Sequence, residues 1–112
     1  MGSYSVGRRF EYLVVDIMRK AGLKARRVPL SGRQPSEDLP NADIVIEDTI
    51  LGKAKTTKAK KYVSFPEKEI TELSNGELDF LVFNFKNTRP FYIIRNDDFL
   101  KVIKHLKKEK RR

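Results

Sequence analysis

The chain has no cysteine and only one histidine, His105, among its 112 residues. Without cysteine it can form neither a disulfide framework nor a cysteine-ligated zinc site, and one histidine cannot build a histidine cluster. The sequence also lacks an apolar run of the roughly 20 residues that a membrane span needs. Its first residues lack the long apolar core of a secretory signal. We therefore expect a cytoplasmic protein without a membrane partner.

Acidic residues are in the minority, because 15 Asp and Glu stand against 24 Lys and Arg, a formal net charge of +9. A surface this basic favours a polyanionic partner, and nucleic acid is the commonest one. Charge alone does not separate DNA from RNA. The length fits a single domain with a sizeable core, since 39% of the residues are hydrophobic. We expect this domain over residues 1–106, followed by a basic tail over residues 107–112 that adds nonspecific affinity.

Periodicity and turn residues predict eight elements in the order α-β-β-β-α-β-β-α. Apolar residues recur at helical spacing over residues 6–21, with Ser5 as N-cap and Gly22 as C-cap. Strands are predicted over residues 23–30, 42–47, 50–57, 79–86 and 90–95. Pro66 begins a second helix. Asp97 caps a final helix whose apolar side chains are expected to face the core: Phe99, Leu100, Val102, Ile103 and Leu106. The predicted class is α/β, a central mixed five-stranded sheet flanked by helices.

Charged residues on the first helix and on two strands form the pattern of a metal-dependent nuclease. Glu11 lies on the first helix, Asp43 begins the second strand, and Lys53-Ala54-Lys55 lie on the third. Mg²⁺ and Mn²⁺ bind oxygen ligands, and phosphodiester hydrolysis also needs an activated water and a positive charge near the phosphate. Alternate residues of a strand share a face, so Lys53 and Lys55 point the same way.

Whether Asp43 shares that face depends on the register of the hairpin between the second and third strands. A three-residue turn over residues 48–50 sets Asp43 opposite Lys55, on the face of both lysines. A two-residue turn over residues 48–49 sets it opposite Ala54, on the other face. A shared site requires the first register, or a bulge that restores it.

The chain resembles the archaeal-type Holliday junction resolvases, within the PD-(D/E)xK nuclease superfamily. The resemblance lies in Gly7-Arg8-Arg9-Phe10-Glu11, Ser31-Gly32, Asp43 and Lys55, and in the order of elements. It implies a restriction-endonuclease-like fold and a homodimer that cleaves four-way DNA junctions in recombination, with Mg²⁺ or Mn²⁺. It also implies that Glu11 and Asp43 bind the metal, that Lys55 assists the water and phosphate, and that Ser31 lies near the scissile strand.

Lys53 departs from this family, which has a metal-binding glutamate at the first position of the last motif. An ammonium in place of a carboxylate costs a divalent cation several kcal/mol at an effective dielectric of about 20. Three explanations stay open. Lys53 replaces the metal as an internal cation between Glu11 and Asp43; another acid, Glu47 or Glu67, completes the site; or Lys53 is an introduced change that silences an enzyme.

Basic residues around the predicted site form a candidate set of phosphate contacts: Arg8, Arg9, Arg26, Arg27, Arg33, Lys58, Lys60 and Lys61. The lysines also suit a solvated strand edge that resists aggregation. Each acid alone has an ordinary interpretation, Glu11 as a surface ion pair and Asp43 as a turn residue. Apolar residues 80–83 and 91–93 are the expected dimer surface.

Three functions therefore compete. The first is a metal-dependent endonuclease that binds branched DNA as a homodimer, with Lys53 as the position that decides its activity. The second is a non-catalytic DNA-binding protein of the same fold, which Lys53 favours. The third is a basic RNA-binding protein in which the acids only pair with lysines, and it predicts no preference for branched over linear DNA.

Overall fold

The computed structural model describes residues 3–28, 42–57, 62–85 and 88–110 of the chain. Their elements, in chain order, are α1 (Ser3–Lys20), β1 (Ala25–Arg27), β2 (Ile44–Ile46), β3 (Ile50–Thr56), α2 (Glu67–Ser74), β4 (Phe80–Asn84), β5 (Phe91–Ile93) and α3 (Asn96–Lys110). This order confirms the predicted one. None of the helices in these ranges combines the length and the apolar character needed to cross a bilayer.

The end of α1 is fixed by the predicted glycine. Gly22 has a φ of 91°, a left-handed conformation that costs little without a Cβ. Leu23 N–H donates to the carbonyl of Met18 at 3.0 Å, the bond that marks a Schellman motif. The start of α1 was predicted less well, because Ser5 lies inside the helix and is not its cap.

The five strands form one sheet in chain order, β1-β2-β3-β4-β5. All neighbouring pairs are antiparallel except β3 and β4, which are parallel. A parallel pair needs a crossover connection, and α2 lies in it. The sheet is therefore mixed and flanked by helices, which confirms the predicted fold class.

The hairpin between β2 and β3 turns earlier than either predicted register. Ile46 pairs with Ile50, so the turn comprises residues 47–49. Glu47 and Asp48 both have left-handed backbones, with φ of 52° and 63°. Such values are uncommon for residues other than glycine, and they let the chain reverse directly after Ile46. Both predicted registers are therefore wrong.

Asp43 lies just outside the regular β2–β3 ladder. Its N–H donates to the carbonyl of Gly52 at 2.9 Å, although Ile44 is the residue paired with Gly52. Two residues thus oppose one, which is typical of a β-bulge. The Asp43 carboxylate accepts a hydrogen bond from Ala54 N–H at 2.9 Å. The irregularity, and not the expected register, directs this carboxylate across to β3.

The sheet has a core on each face. The α1 side buries the larger cluster: Phe10, Val14, Val15, Met18, Ala25, Ile44, Ile46, Phe80 and Val82. The opposite side buries Ala42, Leu73, Leu78 and Leu81. Phe80, Leu81 and Val82 are at most 5% exposed, so this part of the predicted dimer surface is wrong. These side chains are needed inside their own domain.

The final helix differs from its prediction. Its apolar residues were expected to face the core, but they are 42–51% exposed: Phe99, Leu100, Val102, Ile103 and Leu106. The helix also continues through Lys110, so residues 107–110 are helical and the predicted boundary after residue 106 falls inside α3. No side chain of α3 belongs to either core cluster of the described part of the chain.

Arg95 fastens the beginning of α3 to the sheet. Its Nη1 donates to the carbonyls of Leu73 at 2.8 Å and Leu78 at 2.6 Å. Its Nη2 lies 3.1 Å from the carboxylates of Asp79 and Asp98. One guanidinium thus joins the end of α2, the entry to β4 and the first turn of α3.

Candidate active site

Glu11 of α1 is paired with Arg27 of β1. The carboxylate accepts a hydrogen bond from Arg27 Nε at 2.9 Å, and the two side chains are only 13% and 18% exposed. Burial raises the pKa of Glu11, the hydrogen bond from Arg27 opposes that rise, and the negative charge of Asp43 adds to it. The guanidinium also lies 4.5 Å from the centre of the Tyr12 ring, a favourable cation–π contact. Glu11 therefore already has a counter-charge.

The negative charges of Asp43 and Glu11 repel, which helps to raise the pKa of Glu11. Burial likewise raises the pKa of Asp43. The hydrogen bond from Ala54 N–H and the positive charges of Lys53 and Arg27 oppose that rise. The two carboxylates that were predicted to bind a metal therefore interact electrostatically, with Arg27 hydrogen-bonded to Glu11 and the charge of Lys53 acting on Asp43.

Lys53 points towards α2. Its Nζ lies 3.7 Å from Glu69 Oε2 and 3.9 Å from Glu72 Oε1. All three side chains are shielded, with exposures of 14%, 18% and 15% for Lys53, Glu69 and Glu72. The predicted position between Glu11 and Asp43 is therefore wrong in part. Arg27 pairs with Glu11, whereas Lys53 pairs with the acids of α2 and acts on Asp43 only through its charge.

The acids expected to compensate for Lys53 are placed elsewhere. Glu47 lies exposed in the β2–β3 turn, where its carboxylate accepts a hydrogen bond from Lys24 N–H at 2.6 Å. Glu67 is exposed at the beginning of α2. Glu69 and Glu72 take the position beside Lys53 instead.

A signal for Glu69 and Glu72 was present in the sequence of α2. They are three residues apart, next to the buried Leu73, and therefore share its helix face. Ile70, which an ordinary amphipathic helix would turn inward, is 44% exposed. A short helix that places acids inward and isoleucine outward indicates a charged partner beneath it.

Lys55 is half-buried on β3 and pairs with Phe83 of β4. Phe83 lies within 6.0 Å, centre to centre, of the rings of Phe65, Phe85 and Phe91. The predicted catalytic lysine therefore lies on the same face of the strand as Lys53, beside an aromatic cluster.

The remaining predicted site residues divide into two groups. Arg8 and Arg9 are exposed on α1, and Arg26 is half-buried on β1, where its charge helps to lower the pKa of Asp48 after the larger effect of Lys24. Five lie outside the described residues: Ser31, Arg33, Lys58, Lys60 and Lys61. Their roles, like that of Arg27 at DNA, stay predictions.

A divalent cation does not fit this arrangement of donors. Within residues 3–28, 42–57, 62–85 and 88–110, no group of three or more His, Cys, Asp or Glu side chains is placed to hold an ion. Glu11 and Asp43 already accept hydrogen bonds from Arg27 and Ala54. At the motif position Lys53 supplies an ammonium, whose charge opposes metal binding.

The fold is similar to that of a solved archaeal enzyme, Hjc of Archaeoglobus fulgidus, a Holliday junction resolvase from a hyperthermophile. The TM-score is 0.55 and the sequences are 25% identical, over 77% of this chain and 73% of the other. No model of a known protein family matches the chain, and no curated protein does. The structural likeness supports the resemblance first drawn from the motifs.

Proposed function

We propose that this chain is a Holliday junction resolvase-like protein that binds four-way DNA junctions as a homodimer, and that Lys53 keeps its nuclease site closed. The observation that carries the proposal is that the charge of Asp43 acts on Glu11 and the charge of Lys53 acts on Asp43, on a resolvase-like fold. The likeness to Hjc, itself named a Holliday junction resolvase, supports the substrate.

Electrostatics supports DNA as the partner. The net charge of +9 attracts phosphates, and binding through phosphates weakens as salt rises. Arg8 and Arg9 are exposed on α1, near Glu11 in the sequence, and suit such contacts. A four-way junction has near two-fold symmetry, so a two-fold dimer presents equal sites to it. Ser31 would then lie along the bound strand.

The charges around Lys53 explain why binding need not lead to cleavage. Arg27 pairs with Glu11, and Glu69 and Glu72 hold the Lys53 ammonium, whose charge also acts on Asp43. Removing one partner of a shielded charge pair costs free energy. The Lys53 ammonium is therefore held next to Glu69 and Glu72. The site in this form binds phosphate through lysines but lacks the third carboxylate that the family resemblance implies at position 53.

A second function, a metal-dependent resolving endonuclease, is favoured by Glu69 and Glu72. Both carboxylates lie within 4 Å of Lys53 Nζ, and the charge of Lys53 acts on Asp43. If Lys53 turned outward, these α2 acids would supply the carboxylate that the motif lacks. Lys55 would remain at the phosphate.

One experiment separates the two functions. The protein is incubated with a synthetic four-way junction or a linear duplex of the same composition, with Mg²⁺ or Mn²⁺, and both gel-shift binding and cleavage are scored. We expect the wild type to prefer the junction without cutting it, and Lys53→Glu to cut it. Lys68→Glu, which makes the same charge change on the exposed side of α2, is the matched control and should not cut.

Other outcomes have distinct meanings. Cleavage by the wild type that is lost in a Glu69→Gln, Glu72→Gln double variant would establish the second function. Equal affinity for junction and duplex would reject the resolvase-like assignment. Tighter binding to RNA than to either DNA would favour an RNA-binding protein.

A further inference from the structure

A phenylalanine platform lies on the α2 side of the sheet and consists of four rings: Phe65, Phe83, Phe85 and Phe91. Phe83 is at its centre. Its ring is stacked on Phe91 at 5.6 Å, centre to centre, and meets the edges of Phe65 and Phe85 at 5.8 and 6.0 Å. None of the four residues is buried, and Phe91 is 50% exposed. Four aromatic rings that gather outside the buried core of a highly charged chain indicate a binding surface.

The register of three strands places Lys55 in one row with this platform. Lys55 of β3 pairs with Phe83 of β4, and Phe83 pairs with Phe91 of β5. Paired residues of neighbouring strands point to the same face of a sheet, so the lysine and the two rings lie side by side. Two strand spacings, each of about 4.8 Å, separate the backbones of Lys55 and Phe91. A single nucleotide, with its phosphate and its base on either side of one sugar, fits along such a row.

Lys55 carries the positive charge that such a phosphate requires. The residue is half-buried, and no acid among residues 3–28, 42–57, 62–85 and 88–110 lies within ion-pair distance of its ammonium. Lys53, two residues earlier on the same face, has two carboxylates of α2 within 4 Å. An ammonium that is partly removed from water and has no counter-charge favours an anion from another molecule. Of these two lysines, Lys55 is therefore the one that is open to a phosphate.

The platform suits a nucleobase better than a protein partner. Lysine is depleted from protein–protein interfaces, whereas a positive charge beside aromatic rings is typical of proteins that bind single strands of nucleic acid. Phenylalanine has no polar group, so it contacts the flat face of any base and not its hydrogen-bonding edge. Phe65 and Phe85 hold the ring of Phe83 from two sides, and a base laid on Phe91 would extend the stack.

We propose that the phenylalanine platform and Lys55 together bind one unpaired nucleotide of a DNA strand, with its phosphate at Lys55 and its base stacked on Phe91. This site deepens the proposed function and rests on it for the identity of the strand. A base pair at the branch point of a four-way junction lacks a stacking neighbour, so opening it costs less than opening a pair inside a duplex. The platform holds the base that such opening releases, next to the candidate active site.

Short single strands test this site without a junction. An oligothymidylate of about ten nucleotides is compared, by fluorescence anisotropy, with a strand of the same length whose sugars carry no bases. Both strands carry the same phosphates, so their electrostatic binding is matched, and the ratio of their dissociation constants reports the contribution of the bases. We expect the wild type to bind the oligothymidylate about fivefold or more tightly than the strand without bases.

Substitutions locate the stacking on the platform. Phe91→Leu keeps an apolar side chain but removes the ring, and should abolish the preference for the strand with bases, whereas Phe91→Trp should preserve it. Phe99→Leu is the matched control, because it makes the same change at a ring of α3 that is 51% exposed, and it should leave the preference unchanged. Lys55→Gln should weaken the binding of both strands by the same factor, since it removes a phosphate contact. Circular dichroism checks that each variant stays folded.

Equal binding of the two strands by the wild type would overturn this site, and so would an equal loss of preference in Phe91→Leu and Phe99→Leu. A Phe91→Leu variant that keeps its preference for bases but changes its oligomeric state in sedimentation equilibrium would assign the platform to a protein interface instead. The proposed function fails separately, if the wild type prefers the strand with bases but binds a four-way junction and a linear duplex equally.

Discussion

Lys53→Glu should turn a cluster of acids held by one ammonium into a cluster that depends on a metal ion. Lys53 Nζ lies 3.7 and 3.9 Å from the carboxylates of Glu69 and Glu72, so each attraction is about 4 kcal/mol at an effective dielectric of about 20. Desolvation offsets much of this, and removing one partner of a buried pair costs about 3–5 kcal/mol. The substitution also adds a fourth carboxylate to Asp43, Glu69 and Glu72. We expect at least that loss, a large share of the roughly 5–15 kcal/mol that holds a domain folded.

Thermal unfolding followed by circular dichroism measures the effect. In EDTA the Lys53→Glu midpoint should fall by roughly 10–20 °C. Mg²⁺ or Mn²⁺ should restore part of it, since a cation at a hundredfold its Kd adds about 2.7 kcal/mol. The wild type should not respond to either ion. Lys53→Met, which removes the ammonium without adding an acid, should be destabilised in EDTA and should not be restored by the ions.

Two results would refute this reasoning. A Lys53→Glu variant as stable as the wild type in EDTA would show that Glu69 and Glu72 do not depend on the ammonium. A wild-type midpoint that rises with Mg²⁺ or Mn²⁺ would show that the native carboxylates already form a cation site, which would favour the endonuclease.

Three further substitutions test the fold and the site. Arg95→Ala should lower the free energy of unfolding by about 2–4 kcal/mol in urea titrations, because two carbonyls lose their charged donor. Gly52→Ala should cost about 1–3 kcal/mol in the same assay, because the new Cβ would overlap the Phe80 ring. Asp43→Asn concerns pH. Because burial raises the pKa of Asp43, the folded state binds its proton more tightly than the unfolded state, and wild-type stability is lost as pH rises through that pKa. Asp43→Asn lacks this loss, so its stability relative to the wild type should increase with pH in titrations from about pH 4 to 7.

Contrary results are equally clear for these variants. An unchanged urea midpoint in Arg95→Ala would mean that water replaces the guanidinium at both carbonyls. Full stability in Gly52→Ala would mean that the Phe80 ring moves aside without loss. A wild-type stability that rises with pH relative to Asp43→Asn would mean that its charged neighbours outweigh burial at Asp43.

The order of elements was readable from the sequence because local signals mark each boundary. Gly22 ends α1 as predicted, and Pro66 lies at the N-cap of α2. The register of β2 and β3 was not readable, because the hairpin depends on left-handed backbones at Glu47 and Asp48. Asp is common in such turns, but Glu is not, so the reversal directly after Ile46 had no sequence signal. The bulge at Asp43, a tertiary effect, then placed the carboxylate.

The periodicity of α3 identified an apolar face but not what covers it. Helical spacing of residues such as Phe99 and Ile103 is the same whether the partner is the sheet of one domain or a second molecule. The prediction assigned the face to the core by default. Only the position of α3 relative to the sheet shows that the core is complete without it.

The sequence predicted the site residues that match the resolvase motifs. It did not predict the acids that compensate for the lysine at position 53. Glu11, Asp43, Lys53 and Lys55 follow from their order and spacing. Glu69 and Glu72 were missed because no motif includes them. Their importance appears only when α2 is seen to pack over β3, where Lys53 requires acids.

The chain-order arrangement of the sheet also bears on how the protein folds. Strands that are neighbours in the sheet are neighbours in the chain, so every pairing closes a local loop. The parallel pairing of β3 and β4 closes the longest of these connections, over residues 57–79. Proteins dominated by such local contacts fold quickly. The entropic cost of closing a loop increases only slowly with the length of the loop. The step that joins β3 to β4, when α2 docks and Lys53 meets its acids, is therefore expected to limit the rate, and the site is assembled in that same step.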